Sequence, residues 1–293
     1  LFLSQDPKKR KQITSKIIEK IALAKGKLLG FRQVPVNPSC LGDLALKSLP
    51  AIEQVFITIP NASGIELERK LYVLRKEIEN SVYDLNLSIY DFYITSFSCR
   101  TIVYKGLFVG DQFDTFYKDT TDPDFKSSIV VIHQRYSTNT FPSWPLAQPF
   151  RYTAHNGEIN TLTGNENRMQ AREATIQSKY LGDGLSRIIP IIQPDLSDSG
   201  KLDNVLELLA LSGRSVEHSM MMMIPEAFGQ KYMISQDKRS FYDFHSSIME
   251  PWDGPAAVVF TDGSKVGCTL DRNGLRPARY LITKSGKVVF ASE

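Results

Sequence analysis

The run YTAHNGEINTLTG, residues 152–164, sets an imidazole, an amide, a glycine and an acid side by side at His155, Asn156, Gly157 and Glu158. Neither a helical nor a strand period explains those choices. An Asn side-chain NH2 and the backbone N–H of the next residue can point at one spot, and a glycine there has no side chain to block the approach. Two donors aimed at one oxygen form an oxyanion hole, which favours acyl transfer by stabilising the charge that develops on a carbonyl. The plain alternative is an Asn-Gly turn of the kind that closes hairpins.

Two further positions carry charge in suggestive places. In VIHQRYSTNT (131–140), Arg135 follows an apolar run and precedes a polar stretch, so its guanidinium is expected to emerge where a strand becomes a loop. Its rigid fork suits a carboxylate bidentately, although a structural ion pair uses the same geometry. In QPDLSDSGKLDN (193–204), Asp198 stands at the head of a helix, where it could cap the helix or receive an ammonium. Taken together, an oxyanion hole, a cation for a carboxylate and an anion for an ammonium match an α-amino acid with a reactive side-chain carbonyl, such as glutamine. A nucleophile is not evident. There is no GxSxG elbow, and Cys40, Cys99 and Cys268 read as loop or core residues.

Composition narrows the class. The 293 residues are 42% hydrophobic and 23% charged, as in an ordinary globular protein. A net charge of +3 from 35 basic and 32 acidic residues argues against nucleic acid or a membrane surface as the main partner. The basic run PKKRKQITSK (7–16) falls on an expected helix and reads as a solvated face. Three well-separated cysteines give no zinc spacing, so no metal is expected, and they fit a reducing, cytoplasmic compartment. No run is long enough to span a membrane, and LFLSQDPKKR is not a signal peptide. The chain also lacks an initiator Met and is expected to be a piece of something longer.

The elements that must position these residues follow from periodicity. Asp6, Pro7 and a stripe of Ile13, Ile17, Ile18 and Ile21 predict a first helix ending before Gly26, and residues 64–80 a second. Strands are predicted at 53–60, 89–98, 100–106 and 128–137, the last covered on both sides. Two helices follow near 165–178 and 201–212, and hairpins at 255–271 and 278–292 turn on Asp262-Gly263 and Ser285-Gly286. The Met220–Met223 run reads as an apolar strand or a buried helix end, and the loop DRNGLRP (271–277) makes Arg276 an internal clamp. This pattern predicts one α+β domain of two packed sheets with helices outside.

The segment HQRYSTNTFPSWPLAQPFRYTAHNGEINTLTGN (133–165) resembles the glutaminase domain of glutamate synthases, a class-II glutamine amidotransferase, and so do RTIVYKG, SDSGKLDNVLELL, MMMMIPEAF, MEPWDGPAAVVFTDG and LDRNGLRPARY. The resemblance implies a four-layer α/β/β/α N-terminal-nucleophile hydrolase fold with mainly antiparallel sheets. It implies that Arg135 binds the glutamine α-carboxylate, Asp198 its α-amino group, and that Asn156 and Gly157 form the oxyanion hole. The family's nucleophile is an N-terminal cysteine, whereas this chain begins with Leu1, so residues 1–293 alone are expected to lack glutaminase activity. For the full-length protein the resemblance implies FMN, a 3Fe-4S cluster, downstream synthase domains that aminate 2-oxoglutarate with channelled ammonia, and an NADPH-oxidising small subunit or ferredoxin as electron donor. An amidotransferase of another biosynthetic pathway, or a binding module without a nucleophile, is the alternative.

Overall fold

The computed structural model describes residues 1–136 and 140–292; Ser137, Thr138 and Asn139 of the Arg135 motif, and Glu293, lie outside the described residues. The chain gathers into two compact units, Leu1–Arg151 with Gln177–Ile189, and Tyr152–Ile176 with Pro190–Glu293.

The first unit runs β1 (Phe2–Leu3), α1 (Pro7–Leu23), β2 (Lys27–Gln33), a short α2 (Asp43–Lys47), β3 (Ala51–Thr58), α3 (Gly64–Tyr83), β4 (Phe92–Tyr93) and a single turn α4 (Phe113–Phe116). Its sheet is antiparallel throughout, in the order β2-β3-β1-β4. Asp6 caps α1 by accepting from the Lys8 and Lys9 N–H groups at 2.8 and 3.4 Å, and Pro7 opens it without a donor to waste. Ile13, Ile17 and Ile21 of α1 then meet Leu71, Leu74 and Ile78 of α3 in one core with Leu3 and Phe92. Ile18, expected in that stripe, is instead 43% exposed, because the i, i+4, i+8 row alone faces the core.

One polar cluster interrupts this apolar interior. The buried Glu79 carboxylate accepts from Arg75 at 2.9 Å and from Arg151 at 3.0 Å. Burial alone would raise its pKa, but Arg75, Arg151 and Lys76 outweigh that and hold it below the usual carboxylate value.

The second unit runs β5 (Thr153–Gly157), α5 (Leu162–Glu173), α6 (Asp198–Leu211), α7 (Val216–Met223), α8 (Gln236–Ser246), β6 (Ala256–Thr261), β7 (Val266–Leu270), β8 (Arg279–Ile282) and β9 (Val288–Ala291). β5, β6 and β7 form one antiparallel sheet in that order, and β8–β9 a separate hairpin. Both hairpins turn where expected. At the first, Asp262 accepts from the Ser264 and Lys265 N–H groups at 2.9 Å each, and Gly263 takes the positive φ of 84°.

The α+β class stands, with antiparallel sheets. Several local expectations do not. Only Phe92–Tyr93 of the run 89–98 is a strand, and 100–106 and 128–136 form none among the described residues. Strand propensity reflects packing against neighbouring strands, and here no ladder receives these runs: Val130 and Ile132 are 69% and 72% exposed. The Met220–Met223 run closes a helix with Met220, Met222 and Met223 buried. β2 and α8 had no sequence-level prediction. In β2 a register shift between Leu28 and Gly30 breaks the alternation that marks a strand. In α8 only Tyr242 and His245 are buried, too few to print an apolar stripe.

Candidate active site on the edge of β5

The second unit brings Asn156, Gly157 and Asp198 to one end of β5. That strand is held along α6. Asp203 of α6 accepts the Tyr152 and Thr153 N–H groups at 2.8 and 2.9 Å, fixing the start of the strand. Three residues on, His155 is buried and its Nε2 lies 2.8 Å from Ser199 Oγ and 3.5 Å from Asp198 Oδ2. Past the strand's end, the Ile159 N–H donates to Asp198 Oδ2 at 3.0 Å.

Asp198 is therefore not the helix cap. Ser197 takes that place, accepting from the Gly200 N–H at 3.3 Å, which leaves Asp198 in the first turn, where an acid is favoured by the helix dipole. Its Oδ1 also accepts the Ser199 N–H at 2.8 Å. The Ser199 hydroxyl adds a longer bond to Oδ1 at 3.4 Å, and since a carboxylate offers about four acceptor positions, capacity for one ammonium N–H remains.

Gly157 ends β5 with φ at 127°. A Cβ built there would lie 1.8 Å from the Pro255 carbonyl oxygen, so only glycine fits. Antiparallel ladders alternate hydrogen-bonded and non-bonded pairs. The Thr261 N–H reaches Tyr152 O at 2.8 Å and the Glu158 N–H reaches Pro255 O at 3.1 Å, so the even-numbered residues of β5 bond to β6. Gly157, opposite Ala256, is a non-bonded position and its N–H points away from β6, toward the edge of the sheet that no other strand of the described residues pairs with. Beside it, Asn156 accepts from the Arg276 guanidinium on Oδ1 and donates from Nδ2 to Ser292 Oγ at 3.0 Å. The loop beyond is pinned as well: the Asn160 N–H donates to Asp253 O at 2.8 Å, and the Asp253 N–H to Thr161 Oγ1 at 3.0 Å.

Arg135 belongs to the first unit. It is exposed on an irregular segment, and its N–H donates to His133 Nδ1 at 3.3 Å. The neighbouring Tyr136 hydroxyl reaches both Gly106 O at 3.0 Å and Ser143 O at 3.1 Å.

The family model for class-II glutamine amidotransferases matches residues 1–293. The chain belongs to the class-II glutamine amidotransferases. Among curated members it is 48% identical over 295 residues to the glutamate synthase [NADPH] large chain of Bacillus subtilis, covering 100% of this chain and 19% of that one. It is 47% identical over 270 residues to the ferredoxin-dependent glutamate synthase of Pyropia yezoensis, covering 91% and 18%. With the glutamate synthase [NADH] of Saccharomyces cerevisiae it shares 45% over 273 residues, covering 91% and 12%. The chain thus spans about a fifth or less of the length of these relatives.

In this amidotransferase chain Cys99 and Cys268 are shifted away from the lowered pKa that makes a thiol nucleophilic. Burial and Glu68 push Cys99 up to about 11, burial raises Cys268, and Cys40 donates to Asn37 O at 3.2 Å. Among the described residues no group of three or more His, Cys, Asp or Glu could hold a metal, so an iron–sulfur cluster does not fit here. Among them, too, no helix is long and apolar enough to cross a membrane. Sequence reasoning missed the support of Asp198 by His155 and Ser199, and the Arg276–Asn156 contact. The first had a faint signal, a histidine beside the Asn-Gly pair. For the second, the sequence marked Arg276 as an internal clamp but gave no sign of its partner, 120 residues away.

Proposed function

We propose that this chain is the glutamine-binding and oxyanion-stabilising part of a glutaminase within a glutamate synthase. In this reading Arg135 takes the α-carboxylate of L-glutamine and Asp198 its α-ammonium, which leaves the side-chain amide over the end of β5. The cysteine thiolate that the family uses attacks the amide carbon, and the oxygen's charge is borne by Asn156 Nδ2–H and the Gly157 N–H. The α-amine of that cysteine, having taken the thiol proton, gives it to the leaving nitrogen as the C–N bond breaks and ammonia departs, and water then hydrolyses the thioester to glutamate. The observation that carries the reading is a Gly157 N–H turned away from β6 beside an Asn156 amide whose oxygen is engaged by a guanidinium, which makes its NH2 the donor end, here bonded to Ser292 Oγ. The support of Asp198 by the Ile159 N–H, two residues past Gly157, keeps the acid next to that pair.

For the whole protein the reading includes channelled ammonia, 2-oxoglutarate as its acceptor, and a reducing, cytoplasmic setting that suits three free thiols. FMN and a 3Fe-4S cluster would supply the electrons for that amination, and no residue of this chain is assigned to them. The electron donor stays open between a reduced nicotinamide cofactor and ferredoxin, since relatives named for each match this chain comparably.

The test uses the intact parent protein with glutamine as substrate. Asn156→Ala should lower kcat for glutamine hydrolysis by about 10²–10³, the loss of one oxyanion donor. Unchanged turnover would remove the oxyanion role. Arg135→Ala should instead act on KM, and a normal KM would place the carboxylate elsewhere.

A further inference from the structure

We infer that Arg276 is a positioning residue for glutamine hydrolysis, setting which end of the Asn156 amide faces the substrate. The inference rests on the oxyanion reading above. An asparagine amide is nearly the same shape either way round, with an acceptor oxygen on one side and two N–H donors on the other. Only one orientation makes it an oxyanion-hole donor. A fixed cation beside the amide oxygen favours one of the two. The Arg276 guanidinium has only donors to offer, and it holds Asn156 Oδ1. Rotating the amide would press its NH2 against those donors and lose a charge-assisted bond. The opposite end donates to Ser292 Oγ at 3.0 Å in this orientation.

Arg276 is itself held by the loop that follows β7. Asp271, 6% exposed, winds the loop 271–276 around its carboxylate. Oδ1 accepts from the Asn273 and Leu275 N–H groups at 3.0 and 3.1 Å, and Oδ2 from the Arg276 and Ala256 N–H groups at 3.1 Å each. The Asp271 N–H returns to Ala256 O at 2.8 Å. Ala256 is the residue opposite Gly157 in the β5–β6 ladder. One carboxylate thus ties the base of the Arg276 loop to the partner of Gly157, and the guanidinium closes the circuit on Asn156. Burial alone would raise the Asp271 pKa, but those four backbone donors hold it below the usual value, so the loop stays wound at neutral pH.

The test measures glutamine hydrolysis by the intact parent protein carrying Arg276→Met, Arg276→Lys, Asn156→Ala, and Asn156→Ala with Arg276→Met. Arg276→Met keeps the bulk without the donor and should lower kcat tenfold or more with KM within twofold. Arg276→Lys, which restores one cationic donor, should recover part of that loss. In the Asn156→Ala background Arg276→Met should cost nothing further, because a residue that acts through the amide has no role once the amide is gone. Arg276→Met turning over like the unmodified protein while Asn156→Ala is impaired would overturn this inference alone, as would fully additive losses in the double variant. Full activity in Asn156→Ala would instead sink the oxyanion reading beneath it. Should Arg276→Met fail to fold, Arg276→Lys carries the same comparison: lowered kcat, unchanged KM and no added loss beside Asn156→Ala support the inference, and additive losses overturn it.

Discussion

Gly157 shows how much a single position can demand. Its positive φ and the 1.8 Å approach of an added Cβ to Pro255 O leave no room for any side chain. Gly157→Ala should therefore cost about 2 kcal/mol or more of stability, read as a lowered midpoint in urea, apart from any effect on turnover. Glu79 makes a second demand, because its carboxylate is shared by two buried guanidiniums. Glu79→Gln should cost about 3–5 kcal/mol, the range for removing one partner of a buried ion pair. Since its folded-state pKa is held below the ordinary 4.5, the stability it contributes is present above that pH and lost as pH falls through the folded value. Of these features the sequence printed the first and hid the second. An Asn-Gly beside a histidine is visible at a glance, whereas the four residues of the Glu79 cluster come from positions 75, 76, 79 and 151 and meet only after α3 has formed.

Elements were legible in proportion to how fully they carry their own signal. α1 announces itself through a cap and an apolar row, α3 through an apolar row alone, and both distal hairpins through Asp-Gly and Ser-Gly turns. The runs 100–106 and 128–136 carry strand propensity, yet a strand is a relation between segments and propensity cannot supply the neighbour. α8 fails in the opposite sense: its few buried residues are chosen by α7, which sequence alone does not place beside it. There His218 Nε2 lies 3.0 Å from His245 Nε2, with the Phe241 ring 5.0 and 4.3 Å from the two imidazoles. Desolvation by burial lowers the pKa of both histidines, and Arg214 lowers both further, while Glu217 opposes this at His218. The unfolded chain accordingly takes up protons first as pH falls below 6.5, so the folded state loses stability from that point down to the lowered values. His218→Phe should flatten the fall in urea midpoint between pH 7 and pH 5; a fall as steep as in the unmodified chain would show that the pair does not sense acid.

At the scale of the whole chain, the β8–β9 hairpin stands out because Tyr280, Ile282 and Val288 are 73%, 65% and 67% exposed. Exposed apolar strands with open edges invite pairing with other chains. Ile282 and Val288 are directly opposed, so Ile282→Lys with Val288→Glu should keep the hairpin while reducing self-association of the 1–293 chain, measured by light scattering across a concentration series. An unchanged scattering profile would mean the hairpin is not the sticky surface. Whole-chain order was also the hardest thing to read from sequence, since β5 finds its partner β6 only about a hundred residues later. That separation has a bearing on synthesis. A ribosome emits Asn156 long before Arg276, 120 residues downstream, so the guanidinium that holds the amide oxygen joins the chain late. On the oxyanion reading proposed above, this corner would be a late acquisition, completed only once position 276 has left the ribosome.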